Sequence, residues 1–179
     1  MVNNYSQFHL LHHKIEKFPK IIKLKSGTHG LGVLKADNAK SMESMMEAFY
    51  GLKQKVLLQE FIEESSGEDI RIFIVGGEVV AAMKRSAQEG EFRSNLHRGG
   101  HAAVAQISEE ERRVALDAVK ILGLSVAGVD MLRSHRGPLV LEVNASPGLE
   151  GIETITKVDI AKKIIQLAER LAKSSSYEA

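Results

Sequence analysis

The chain contains no cysteine. Disulfides, zinc–thiolate centres and a cysteine nucleophile are excluded, and a cytoplasmic protein is the expectation that fits. Charge of one sign is also missing: 24 basic and 23 acidic residues leave a net +1, which gives no electrostatic case for direct nucleic-acid binding. No run of about 18 apolar residues exists, so no membrane span is expected. Met1 to Lys20 has histidines and lysines but no apolar stretch with a small-residue cleavage site, so no secretory signal is expected. Internal repeats and low complexity are absent apart from the tail Ser174–Ala179, which is expected to fray. What remains is ordinary globular material: 179 residues, 44% hydrophobic and 26% charged, enough for one sizeable domain or two small lobes.

Two segments stand out, Gly128-Val-Asp130-Met-Leu132 and Val140-Leu-Glu142-Val-Asn144. Both alternate as half-buried strands do. A tight loop at His135-Arg136-Gly137, with Gly137 in the left-handed conformation, would close them into a hairpin. A loop centred on Arg136 sets Asp130 opposite Glu142, with Asn144 on the same face. Opposed carboxylates sit about 5 Å apart and repel, so a shared proton, a basic side chain or a metal ion must compensate them. An all-oxygen set of Asp, Glu and Asn suits Mg²⁺ or Mn²⁺. If repulsion dominates, removing either charge leaves metal-free stability nearly unchanged or raises it.

The rest of the chain mixes helices with hairpins. A helix is expected over residues 5–17, ended by Pro19. Strands are expected at Lys20–Leu24 and Leu31–Lys35, then a helix capped by Asp37 or Asn38 that runs to Tyr50 with Met42, Met45 and Met46 in the core. Further strands are expected at Lys55–Ile62, Asp69–Val75 and Glu78–Arg85, the last two joined by Gly76-Gly77. Ser86–His101 reads as an irregular basic stretch. Ser108 with Glu111 forms a capping box for a helix to Leu122, and a last helix spans about 159–172. Adjacent hairpins imply antiparallel sheet, hence an α+β fold.

Several residues suit a nucleotide. Ser26-Gly27-Thr-His-Gly30-Leu-Gly32 lies between two strands and lets backbone N–H groups approach an anion, or simply marks a turn. It is neither a P-loop nor a Rossmann fingerprint, because no helix follows. Lys23 precedes it and can reach phosphate, while Lys25 reads as a solvent-facing lysine. Glu60 and Phe61 close an apolar strand that can serve adenine through its backbone, or can be ordinary core. Lys84, Arg85, Arg93, Asn95, His97 and Arg98 crowd a loop-like region suited to phosphate or carboxylate, or to a solvated basic surface.

The order of these pieces resembles the ATP-grasp superfamily. Lys-Ser-Gly-Thr-His-Gly-Leu-Gly-Val, Gln-Glu-Phe-Ile, Glu-Asp-Ile-Arg, Phe-Arg-Ser-Asn-Leu-His-Arg-Gly-Gly and Leu-Glu-Val-Asn-Ala-Ser-Pro-Gly-Leu-Glu-Gly-Ile-Glu resemble its RimK-like branch, over about residues 18–172. The resemblance implies two α+β lobes with ATP between them, at 19–62 and 63–172, after a poorly matched lead-in at 1–18 and before a frayed tail at 173–179. It implies that Lys23 meets ATP phosphate or adenine N7, that Gly27, Gly30 and Gly32 lie over the phosphates, and that Glu60 and Phe61 hold adenine through their backbone. Asp69 would hold the ribose, and Arg93, Ser94 and Asn95 would line the phosphate and substrate end. Asp130, Glu142 and Asn144 would bind two Mg²⁺ or Mn²⁺ ions, with Arg85 and Arg93 steadying an acyl phosphate. The implied activity is ATP-dependent addition of glutamate to the C-terminus of a small-subunit ribosomal protein. Alternatives are a glutamate ligase acting on a pterin or deazaflavin cofactor, and a nucleotide-binding module without turnover. Self-association into a homo-oligomer stays open. A further N-terminal domain is implied, so this chain is expected to be a fragment or a shortened form.

Overall fold

The computed structural model describes residues 17–25, 31–65, 67–94 and 99–175. The helix expected over 5–17, most of the glycine loop with Gly27 and Gly30, and the stretch with Asn95, His97 and Arg98 lie outside the described residues, Lys17 and Gly32 apart. Two compact units divide at Glu63/Glu64.

In the first unit, β1 (Lys20–Leu24) is the middle strand between β2 (Val33–Ala36) and β3 (Val56–Glu60), antiparallel to both. Alternation sends Ile22 to one face, where it packs with Ala36, Val56 and the α1 helix (Ala39–Gly51) through Met42 and Met46. Asn38 caps α1, its Oδ1 accepting the Ser41 N–H at 2.9 Å. The opposite face carries Lys23, paired with Val33 and Leu57. Lys35, opposite Ile21, shares that face, with its ammonium 5.4 Å from the Phe61 ring centroid. Gly32 has φ +72°, and a Cβ there would run into the Leu24 side chain. Glycine is thus required where the loop returns to the sheet.

The second unit is a five-stranded antiparallel sheet ordered β6-β5-β4-β7-β8, built from β4 (Glu68–Val75), β5 (Glu78–Ser86), β6 (His101–Val104), β7 (Val126–Ser134) and β8 (Gly137–Asn144). One face buries Ile70, Ile72, Ile74, Val129 and Met131 against Ala115 and Val119 of α2 (Glu109–Ile121). The other face is divided along its strands. At one end Phe73, Val75, Ala81 and Met83 are covered by Ile152 of α3 (Glu150–Thr156) and by Ile160 and Leu167 of α4 (Ile160–Ser175). Burying a side chain such as Phe73 stabilises by roughly 2–3 kcal/mol. At the other end the same strands carry Asp69, Arg71, Arg85, Asp130 and Glu142, so an apolar half anchors a charged half.

Gly76 and Gly77, with φ of 60° and 80°, make the two-residue turn joining β4 to β5, as their sequence predicts. Strand β6 and helix α3 are additions: the sequence pattern predicts neither. Their segments are four and seven residues long, too short to display a period.

The α2 start follows its capping box. Ser108 Oγ accepts the Glu111 N–H at 3.1 Å and Glu111 Oε2 accepts the Ser108 N–H at 2.7 Å. Glu111 also accepts Arg133 Nε–H at 2.6 Å, which ties the cap to β7. Ser108→Ala is expected to cost about 1 kcal/mol, read as a lower urea midpoint with an unchanged m-value.

Candidate active site

The β7–β8 hairpin places Asp130 directly opposite Glu142. The pairing arises differently from the expected symmetric loop. Ser134 pairs with Gly137, φ +92°, so the turn is only His135-Arg136. That register would oppose Asp130 to Leu141. The shift between Asp130 and Met131 makes Leu141 an extra residue, and this bulge restores Glu142 to its place. Asn144, opposite Gly128, lies two residues along the same face and donates from Nδ2 to Glu142 Oε1 at 3.2 Å. A Cβ on Gly128 would sit 2.8 Å from Pro147 Cβ and 3.9 Å from Arg71 Nε, so glycine here lets the segment after Asn144 cross close to the sheet.

The two opposed carboxylates differ sharply. Glu142 is exposed, whereas Asp130 is 2% exposed. Asp130 is compensated by basic side chains. Arg71, its cross-strand partner on β4, donates Nε–H to Oδ1 and Nη2–H to Oδ2, both at 2.7 Å. Arg85 reaches from β5 past β4 and brings Nη2 to 2.8 Å from Oδ2. Burial alone would raise the Asp130 carboxyl, but the Arg71 hydrogen bonds and the two guanidinium charges hold it below the usual range. The expectation that Asp130 chiefly repels Glu142, and that its removal is harmless to stability, is corrected by this pairing.

Arg85 is also anchored by Asp69, directly across the ladder, and shares its Nη2 between the two carboxylates. Nε and Nη2 donate to Oδ1 and Oδ2 at 2.6 and 2.7 Å. Ser94 Oγ–H adds a third bond to Asp69 Oδ2 at 2.6 Å. Asp69 is 5% exposed, so this carboxylate is a buried strut. Burial pulls the Arg85 guanidinium down, but the Asp69 hydrogen bond and the Asp130 charge more than offset it, keeping it fully protonated. The result is a ladder Ser94–Asp69–Arg85–Asp130–Arg71 across β5, β4 and β7, with Glu142 and Asn144 on the next strand.

Arg93 sits beside this ladder on the loop after β5 and forms a two-pronged pair with Glu91, at 2.9 Å from Nε and 2.6 Å from Nη2. Glu91 Oε1 also accepts the Phe92 and Arg93 N–H groups. The Arg93 hydrogen bond chiefly lowers the Glu91 carboxyl to about 2. A depressed carboxylate contributes stability above its unfolded value of 4.5 and loses that contribution as pH falls towards 2. Glu91→Gln is therefore expected to lower urea stability at neutral pH and to flatten its fall between those two pH values, so that variant and wild type converge as pH approaches 2. Lys84, grouped with the basic residues by sequence, points to the sheet's opposite face and pairs with Glu68 at 2.8 Å.

Sequence reasoning missed Arg71. Its signal was present: it follows Asp69 by two residues and so shares that carboxylate's strand face. Among the described residues no three His, Asp or Glu side chains gather as a metal cage. The donor set here is two carboxylates and an amide, and it fits a hard cation in a limited way. Asp130 offers about four lone-pair sites, of which the guanidiniums take three, and among the described residues Glu142 and Asn144 are bonded to each other. No helix among the described residues is long and apolar enough to cross a membrane.

Comparison with known proteins gives the family and the fold. A family model described as the RimK-like ATP-grasp domain matches residues 1–168. The chain is 58% identical over 158 residues to a "Probable alpha-L-glutamate ligase 1" of Shewanella frigidimarina, covering 88% of this chain and 52% of the relative. It is 59% identical over 154 residues to a "Probable alpha-L-glutamate ligase" of Nitrosococcus oceani, covering 86% and 51%. The chain thus spans about half the length of the curated relatives it matches. Among solved structures, D-alanine–D-alanine ligase from Bacillus anthracis superposes with a TM-score of 0.70 at 23% identity, over 94% of this chain and 59% of that one. The ATP-grasp ligase PsnB complexed with minimal precursor gives 0.66 at 25%, over 95% and 52%. The fold is that of the ATP-grasp ligases, and the chain belongs to the RimK-like ATP-grasp family.

Proposed function

We propose that this chain carries the ATP-grasp portion of an ATP-dependent carboxylate–amine ligase that adds glutamate to a peptide C-terminus, of which a small-subunit ribosomal protein is the proposed source. The observation that carries the reading is the Asp130–Glu142 register with Asn144 beside it, held on a rigid charged ladder. The relatives' printed names support glutamate as the added amino acid.

In this reading the γ-phosphoryl of ATP passes to the acceptor carboxylate, giving an acyl phosphate and ADP. The glutamate amine attacks the acyl carbon, its proton departs, and phosphate leaves as the amide forms. Mg²⁺ or Mn²⁺ at Glu142, Asn144 and the remaining Asp130 lone pair would screen the phosphate charge. The chain's own residues position and neutralise. Asp69 fixes Arg85, Arg85 and Arg71 fix Asp130, and Ser94 ties the loop after β5 to the same carboxylate. Asp69 is thus proposed as an anchor for Arg85 as well as a ribose contact. Lys23, Gly32, Glu60 and Phe61 keep their proposed nucleotide contacts, and Arg93 its proposed place at the reacting phosphoryl group.

The test is product analysis with ATP, glutamate and a peptide ending in glutamate. ADP and phosphate are expected, and hydroxylamine should trap the activated carboxylate as a hydroxamate. AMP and pyrophosphate would overturn the ligase class. ADP formed only with a pterin or deazaflavin acceptor would keep the mechanism and replace the acceptor.

A further inference from the structure

Asp130 has two calls on one carboxylate. Its oxygens accept two Arg71 hydrogen bonds and an ion pair from Arg85, yet it stands in register with Glu142 and so beside the proposed cation position. The two arginines are not equivalent. Arg85 is also held by Asp69, through Nε and through the same Nη2 that meets Asp130, and its side chain is 6% exposed. Arg71 is the open end: its side chain is 17% exposed, and among the described residues Asp130 is its ion-pair partner.

A divalent ion held by Glu142, Asn144 and the remaining Asp130 lone pair would bring a further positive charge to a carboxylate that the guanidiniums already hold. Two positive charges would then compete for one buried carboxylate. The tethered guanidinium has no freedom to leave, and the untethered one has. We propose that Arg71 is a resident counter-cation of Asp130 which a divalent ion displaces, freeing its two-pronged guanidinium for an anionic oxygen of the phosphate or carboxylate class. Arg71 then lowers the affinity for the bare ion and makes anion capture follow ion binding. The inference rests on reading Glu142 and Asn144 as cation ligands.

Two measurements on this chain test it, neither of them an activity. Free Mn²⁺ is titrated by its paramagnetic resonance signal against wild type, Arg71→Met and Glu142→Gln. Arg71→Met is expected to bind Mn²⁺ about tenfold more tightly or better, because a like charge has gone from beside the ion. Glu142→Gln is expected to lose binding. Separately, the Arg71 Nε–H resonance, assigned by its loss in Arg71→Lys, is expected to shift and to exchange faster with water as Mg²⁺ is added. Unchanged or weaker Mn²⁺ binding by a folded Arg71→Met, with wild-type binding still dependent on Glu142, overturns the displacement. So does an Nε–H signal unmoved at saturating Mg²⁺, which decides the matter if Arg71→Met does not fold. Wild type that binds no ion, or binds it equally without the Glu142 charge, overturns the cation reading itself and this inference with it.

Discussion

Asp130→Asn is expected to destabilise the cation-free protein by about 3–5 kcal/mol, while Glu142→Gln, directly across the ladder, leaves stability almost unchanged. The asymmetry follows from burial and partners. Asp130 is 2% exposed and neutralises two guanidiniums, one of them, Arg85, also buried. An amide there keeps the shape but removes the negative charge, and its NH₂ would point donors at donors. Glu142 is exposed and touches only Asn144 Nδ2 among the described residues, so an amide costs it little. Divalent-ion binding should sort the pair differently, with both substitutions weakening it severely. Urea denaturation without metal, set beside an ion titration, separates the two roles. Equal stability losses from both variants would show that Glu142 is a structural charge. No loss from Asp130→Asn would show that the ion pairs contribute nothing net. The pH dependence has a matching sign. Asp130 is depressed, so its contribution is present above its ordinary value of 3.8 and disappears as pH falls through the lower folded value.

What was legible in the sequence is what local chemistry encodes. The glycine pair at 76–77 and the Ser108–Glu111 box each act within a few residues, and both work as their sequence predicts. The Asp130–Glu142 opposition was legible as alternation plus a turn, yet the true turn is one residue shorter and the bulge at Leu141 makes up the difference. A bulge leaves no mark in an alternation pattern this short. The compensation of Asp130 was not legible. The donor set pointed to a metal ion, but proton and base stayed open, because the choice depends on which strand lies beside β7. That neighbour is β4, some sixty residues earlier in the chain, and it is the sheet order that brings Arg71 alongside. The same non-locality hid the burial of Asp69: Arg85 arrives from the next strand and Ser94 from the loop beyond.

Arg85→Lys is expected to be almost as damaging as Arg85→Met, with each losing about 3–5 kcal/mol. Arg85 uses a planar fork to hold both oxygens of Asp69 while its Nη2 also reaches Asp130. An ammonium on a flexible stem is a single point of charge. It can stand by one carboxylate, leaving the other underpaired in a site that excludes water. Asp69 retains the Ser94 hydroxyl, one neutral hydrogen bond in place of a charged fork. The double variant Arg85→Met with Asp69→Asn should recover part of the loss, since both ends of the fork are then neutral. A coupling of at least about 1 kcal/mol in that cycle is expected. Stability measurements and turnover together distinguish this from direct action on the reacting group. A residue that touches the acyl phosphate alone would lose kcat on becoming lysine while the urea midpoint stayed in place. A strut that holds Asp130 would lower the midpoint first and weaken divalent-ion binding with it, because the carboxylate opposite Glu142 would no longer be fixed.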